Sequence, residues 1–358
     1  MTSLRKLASH LGLSITTVSR ALDGYADVAV ATRERVEQAA KAMGYRPNPA
    51  ARRLRRGVGE TVAFVLPTDP GHFHEPVFSE LLVTVGEELA RHEHDLMLLA
   101  ARPGKDEMAV YHRLVEGRRA DAFIIVRTRH QDERIAYLMA KGVPFVCHGR
   151  TDTAEPYAFI DGDGEEGFHS LTQRLVARGH RRIAFLSAPT HLTFAGLRLA
   201  GWRRAMQAAD LAADIVEEAE PTEEGGFALA HRVLDSHARP TALICATDRM
   251  AIGAIRAAAD RGLTVGSDIA ITGHDNIPAA SYCQPSLTTM ELPTRLIGAR
   301  LADMVLARLG GADLRDLTEI HGLVQMPRGS SGETNLEGVV RTADAQEAVF
   351  EVTEGRKT

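Results

Sequence analysis

The chain has 358 residues, of which 44% are hydrophobic and 25% charged, with a formal net charge of −5. These are ordinary figures for a folded protein with room for more than one domain. No stretch approaches the ~18 consecutive apolar residues of a membrane span, and no basic-then-apolar leader precedes the first polar helix, so no membrane association and a cytoplasmic location are expected. Cys147, Cys245 and Cys283 are odd in number and lack CxxC spacing, which indicates neither a disulfide framework nor a zinc site.

The charge is unevenly placed. Residues 1–57 carry eleven Lys or Arg against Asp23, Asp27, Glu34 and Glu37, a net of +7, whereas the remainder carries −12. A basic head on an acidic body fits a polyanion bound at one end only.

Leu4, Leu7, Ala8 and Leu11 fall on one face of a first short helix, which Gly12 ends by taking a positive φ. Ser14 caps a second helix whose Val18, Ala21 and Leu22 close on the first. Ile15, Thr16, Thr17, Ser19 and Arg20 face outward, with no acid before Asp23, and such a face suits a DNA major groove. From these residues alone, a small helical hairpin with a solvated polar face fits equally well. A third helix is expected over Thr32–Met43, with Val36, Ala39, Ala40 and Met43 inward and Gly44 as its stop.

Asn48, Pro49 and Gly57 then punctuate one short helix carrying Arg52, Arg53, Arg55 and Arg56 and no acid. Alone it repels itself, and phosphates would let it form. Leu54 among those arginines suits a wedge into a minor groove. A plain basic linker is the other reading.

From Glu60 the chain alternates strands and amphipathic helices, the pattern of doubly wound parallel sheets. Strands are expected at Thr61–Leu66, Asp95–Ala101, Ala120–Val126 and Pro144–His148, with helices near 78–92, 105–116 and 132–141. A second run has strands at Tyr157–Asp161, Arg182–Ala188, Ile215–Glu218, Thr241–Ala246 and Asp268–Gly273, with helices near 165–178, 196–209, 224–237 and 249–261. Leu287–Leu292, a helix at 294–309 and Ile320–Val324 follow, before a polar, aperiodic tail. Two such sheets imply two lobes, and a cleft beyond their strand ends is the natural place for a small molecule.

Some motifs mislead. Gly162-Asp163-Gly164-Glu165-Glu166-Gly167 matches a dinucleotide fingerprint, but three carboxylates stand where a pyrophosphate would lie; they suit a helix N-terminus instead. His72, His74, Glu75, His92 and His94 lack further metal ligands at a known spacing. No GxSxG elbow, Walker loop or HExxH occurs, so no cofactor, no metal and no enzymatic role are expected.

The chain resembles the LacI/GalR transcriptional regulators over nearly its whole length. The resemblance is carried by Ser14–Leu22, Thr32–Val36, Gly44–Asn48, Ala51–Leu54, Arg178–Leu186, Arg198–Trp202, Ala246–Asp248 and Gly273–Asp275, all in register. It implies a small all-α helix-turn-helix headpiece (1–46), a hinge (47–58), and a two-lobed α/β periplasmic-binding-protein-like effector and dimerisation domain (59–328). The N-lobe would hold about 59–160 and 292–321, the C-lobe about 161–291 and 322–340, and 329–358 would be a partly disordered tail. Three chain crossings between lobes are implied near 158–162, 289–293 and 320–324.

By family position, the resemblance implies a homodimer on near-palindromic double-stranded operator DNA. Ile15, Thr16 and Arg20 would read bases, and Ser14, Thr17, Ser19, Asn48, Arg52, Leu54 and Arg55 would complete the interface. It also implies a repressor released by a small sugar, a mono- or disaccharide, held by Phe78, Arg127, His148, Phe194, Arg198, Thr247, Asp248 and Asp275. His148-Gly149-Arg150 and Arg127 at strand ends are compatible with a di- or oligosaccharide such as an α-glucoside. Departures are Thr247 where relatives carry Asn, Phe194 at a position often small or hydroxylated, Pro221 and Pro293 near positions that are aromatic in some members, and Ala29 in place of a capping Ser. A solute-binding protein without a regulatory role is disfavoured by the basic head, and an NAD-dependent oxidoreductase by the acids at 163–166.

Overall fold

The computed structural model describes residues 3–25, 27–45, 60–68 and 75–333. The expected hinge helix, with Asn48, Arg52, Leu54 and Arg55, lies outside the described residues, as do His72, His74 and the tail beyond 333. The chain divides into two compact units, Met1–Glu60 and Thr61–Thr358.

The first unit is built from α1 (Leu4–Leu11), α2 (Ile15–Leu22) and α3 (Val30–Ala42). Ser3 and Ser14 cap α1 and α2 by accepting the Lys6 and Thr17 N–H groups, and Gly12 ends α1 in the left-handed region at φ 65°. Leu7, Val18 and Val36, one from each helix, are fully buried at the centre. Arg35 ties α3 to the end of α1 by donating to the Leu11 carbonyl at 2.6 Å. Ala29 occupies the N-cap of α3 without a side-chain bond.

The second unit holds two parallel sheets. The first contains β1 (Thr61–Pro67), β2 (Asp95–Ala101), β3 (Ala122–Ile125), β4 (Phe145–His148), β5 (Ala158–Gly162) and β11 (Thr318–His321), in the order β11-β5-β4-β3-β1-β2. Every residue of β1 is buried, as expected for a strand covered on both faces. On one face pack α4 (Pro76–Arg91) and α12 (Thr294–Leu309), through Leu81, Val85, Leu89, Leu301 and Met304. On the other pack α5 (Lys105–Glu116) and α6 (Glu133–Lys141), through Tyr111, Leu114, Ile135 and Leu138.

The second sheet contains β6 (Ile183–Ser187), β7 (Val216–Glu218), β8 (Ala242–Cys245) and β9 (Ala270–Thr272), in the order β7-β6-β8-β9. Around it lie α7 (Gly164–Ala177), α8 (Thr193–Ala208), α9 (Glu223–Leu234) and α10 (Asp248–Ala259), with Phe168, Phe185 and Trp202 fully buried in the core. Cys147 and Cys245 are buried thiols. Among the described residues, no helix is long and apolar enough to cross a membrane.

The chain passes between the sheets at β5 to α7, at β10 (Thr289–Glu291) to α12, and at β11 to β12 (Val324–Met326), where β12 pairs antiparallel with β10. The expected single strand Ile320–Val324 is therefore two strands in different layers, broken at Gly322-Leu323 by the crossing. A short helix, α11 (Pro278–Tyr282), was not expected from periodicity. The start of the expected tail also differs: Gly329–Ser331 forms a 3-10 turn with Ser330 fully buried. There the Ser330 hydroxyl donates to the Ile271 carbonyl and accepts the Thr288 N–H, and Glu333 pairs with Arg174 at 2.6 Å.

The glycines of the dinucleotide-like motif have a packing role. A Cβ on Gly167 would stand 2.6 Å from the Leu323 side chain, and one on Gly162 3.0 Å from it, so both admit the crossing segment. Asp163 caps α7, and Glu165 and Glu166 both pair with Arg204.

Candidate functional site

The outer face of α2 presents Ser14, Ile15, Thr16 and Arg20 to solvent, with Thr17 half-buried and hydrogen-bonded to Ser14 at 2.8 Å. Ser19 does not belong to this face. It is buried, and its hydroxyl donates to Asp23 at 3.2 Å, because position 19 follows Val18 toward α1 and α3. Arg20 is held in a way that local sequence does not disclose: its guanidinium pairs with Asp27 at 2.5 Å and lies 5.0 Å over the Tyr25 ring.

Within the second unit, a cleft of about 1190 Å³, part of it open to solvent, lies between the two sheets. Most of its polar residues follow the carboxyl ends of parallel strands, where open α/β sheets expose their loops. Arg127 and Thr128 follow β3, His148 ends β4, Asp161 is on β5, Thr247 follows β8, and His274 and Asp275 follow β9. Phe78 from α4 and Phe194 and Arg198 from α8 complete the lining, with Pro221, Leu292 and Leu323 among the apolar walls.

Seven of the eight expected effector residues thus line one cavity. Asp248 does not: it is fully buried behind the lining, where it accepts the Ile277 N–H at 3.0 Å and the Thr289 hydroxyl at 2.6 Å. Arg150 is not among the lining residues; it pairs with Asp161, which is, at 2.8 Å. Sequence reasoning missed Glu75, Arg249 and His274 as lining residues.

Arg198 lines the cleft from α8. It stacks 4.6 Å from the Phe194 centroid, donates to the Ala246 carbonyl at 2.6 Å, and makes no ion pair among the described residues. Burial holds its guanidinium below the usual arginine range, although it stays charged. Asp275 sits at φ 115°, shares a 2.6 Å hydrogen bond with His274, and is pushed up to about 6 by burial against the pull of Arg198 and His148. Burial also lowers His148 and, with Arg198 beside it, lowers His274 well below the usual histidine value. The result is a pre-formed donor and acceptor set on an apolar floor, the usual makeup of a small-molecule site.

Of the histidines considered as ligands, His92 lies near Glu88 and Asp303, whose carboxylates pair with Arg91 and Arg300.

Residues 3–48 match the model of bacterial regulatory proteins of the lacI family, and residues 172–331 match the periplasmic binding protein-like domain. The transcriptional regulator RafR of Escherichia coli is 38% identical over 320 residues, covering 88% of this chain and 94% of RafR. The regulator AglR of Rhizobium meliloti is 38% identical over 307 residues, covering 84% and 86%. Among solved structures, a CelR–cellobiose complex superimposes with a TM-score of 0.72 at 29% identity, covering 92% of this chain and all of that one. The lac repressor dimer bound to operator and the anti-inducer ONPF gives a TM-score of 0.81 at 26% identity, covering 92% and 99%. The chain belongs to the LacI family of DNA-binding transcriptional regulators.

Proposed function

We propose that this protein is a homodimeric repressor of carbohydrate-utilisation genes, released from a near-palindromic operator by a sugar bound in the cleft. The observation that carries this reading is that Arg198, stacked on Phe194 and without an ion pair among the described residues, lines one cleft between two lobes together with Asp275. A guanidinium fork and a carboxylate match vicinal hydroxyls, and the aromatic and proline walls match the C–H faces of sugar rings. Cellobiose in CelR and the ligands of the lac repressor structures support the ligand class.

In the headpiece, Ile15, Thr16 and Arg20 read base edges and Thr17 anchors phosphate. Asp27 pre-orients Arg20, whose bidentate contact to guanine is worth about 1–3 kcal/mol of discrimination. Arg52, Arg55, Asn48 and Leu54 act in the hinge, with Leu54 as a minor-groove wedge. Effector binding shifts the lobes between two states of different ligand affinity, a coupling of typically 1–3 kcal/mol.

Selection from a random duplex library tests the DNA half. Enrichment of a two-fold-related sequence that Arg20→Ala no longer enriches is expected; no enrichment by the wild-type chain rejects it. Leu54→Ala is expected to lower specific affinity far more than nonspecific affinity, and equal losses reject the wedge.

A further inference from the structure

Glu75 was not expected in the cleft, and its position is unusual. It occupies the N-cap of α4, where an acidic side chain would ordinarily accept a first-turn N–H, yet it makes no capping bond. Its carboxylate turns into the cleft and accepts from Arg127 at 3.2 Å.

Arg127 is aimed just as definitely. Its backbone is left-handed at φ 51°, and its carbonyl accepts from Arg134 at 3.1 Å. Arg134 is itself fully buried and bound by Asp132 at 2.6 Å and Glu107 at 2.9 Å. A buried ionic clamp therefore fixes the loop that presents the Arg127 guanidinium beside Glu75. Adjacent guanidinium and carboxylate groups offer a donor fork next to an acceptor, which one hydroxyl and its neighbour on a sugar ring satisfy together.

We propose that Glu75 and Arg127 form a second hydroxyl-binding subsite, on the first lobe, which takes a vicinal diol from a ligand already held by Arg198 and Asp275 on the other lobe. The effector is then a disaccharide or longer sugar, one ring to each pair. The two pairs stand on opposite walls of one cleft, Glu75 and Arg127 on elements of the first sheet's lobe and Arg198 and Asp275 on elements of the second's. This rests on the sugar-effector reading above.

Burial pushes the Glu75 carboxyl up to about 7 against the pull of Arg127, with Asp275, Arg249 and Arg198 facing it from the second lobe. Protonation removes an acceptor and weakens the pair, so disaccharide affinity falls as pH drops through 7. The step from Asp275, near 6, lies below it.

Calorimetric titration of the full chain at pH 8 tests the subsite. The probes are maltose, melibiose, cellobiose and lactose, with methyl glucoside and methyl galactoside as single-ring controls. Glu75→Ala and Glu75→Gln are expected to weaken the best-bound disaccharide at least tenfold and the methyl glycosides less than twofold. Wild-type disaccharide affinity is expected to fall at least threefold from pH 8 to 6.5, and that of Glu75→Gln to stay level over the same range. If Glu75→Ala does not fold, Glu75→Gln and the pH profile still decide the matter, and a wild-type disaccharide affinity that stays level from pH 8 to 6.5 overturns the subsite. Disaccharide binding by the wild type that is unchanged in Glu75→Gln, or equal losses for one-ring and two-ring probes, overturns the subsite alone. Failure of the wild type to bind any probe overturns the sugar reading and the subsite with it.

Discussion

The two walls of the cleft are held in place by different physics. On the first lobe, the loop bearing Arg127 and Thr128 rests on a buried ion-pair network: Arg134 donates to Asp132, Glu107 and the carbonyls of Val126 and Arg127, and Glu107 also pairs with Arg129. Although burial opposes it, the hydrogen bonds and charge of Arg134 hold Asp132 below the usual carboxylate range. On the second lobe, the corresponding strut is Asp248, bonded to a hydroxyl and a backbone N–H; burial and nearby Asp275 push it up to about 7. The difference matters because breaking a buried ion pair strands a charge, whereas a carboxyl that can keep its proton leaves none.

Removing the arginine tests the contrast most severely. Arg134→Ala is expected to destabilise the cleft unit by about 3–5 kcal/mol in chemical denaturation, since Glu107 and Asp132 lose their buried partner. A loss under 1 kcal/mol would mean that the network relaxes into water. Glu107→Gln keeps the shape but removes the charge, with an expected cost of about 1.5–3 kcal/mol. Its counterpart on the other wall, Asp248→Asn, is expected to cost only about 1 kcal/mol, the scale of one neutral hydrogen bond. Equal costs for the two amide variants would erase the distinction.

The pH response sharpens it further. Glu75, Asp248 and Asp275 all have folded values above those of ordinary carboxyls, so the folded state binds protons that the unfolded state releases. Their contribution to stability is therefore largest below about pH 4 and is lost as pH rises through 6 to 7. Asp248→Asn is expected to flatten this part of the stability profile between pH 5 and 8, and an unchanged slope would place the proton elsewhere.

The sequence was most legible where structure is local. Gly12 and Ser14 announce their helix end and cap because a positive φ and a hydroxyl acceptor are needed within a turn of where they stand. Strand ends marked the cleft because alternation of strands and helices fixes which loops converge. Side-chain direction was less legible. Asp248 follows Thr247 at a strand end, yet one faces the ligand space and the other the core; Ser19 turned inward for the same reason, one residue's rotation on a helix. Arg134 meets Glu107, 27 residues earlier, only when the fold brings their helices together. Glu75 stands beside His72 and His74 in the sequence, and only the fold brings its carboxylate to Arg127.

In the proposed function, the cleft controls the headpiece through Arg198. This control is tested most directly by following fluorescence anisotropy of labelled operator during titration with the best-bound disaccharide, for the wild type and for Arg198→Ala. Equal operator affinity without sugar, release of the wild type, and retention of the variant on DNA at sugar concentrations that free the wild type are expected. Release of Arg198→Ala at the same concentration as the wild type would contradict that control.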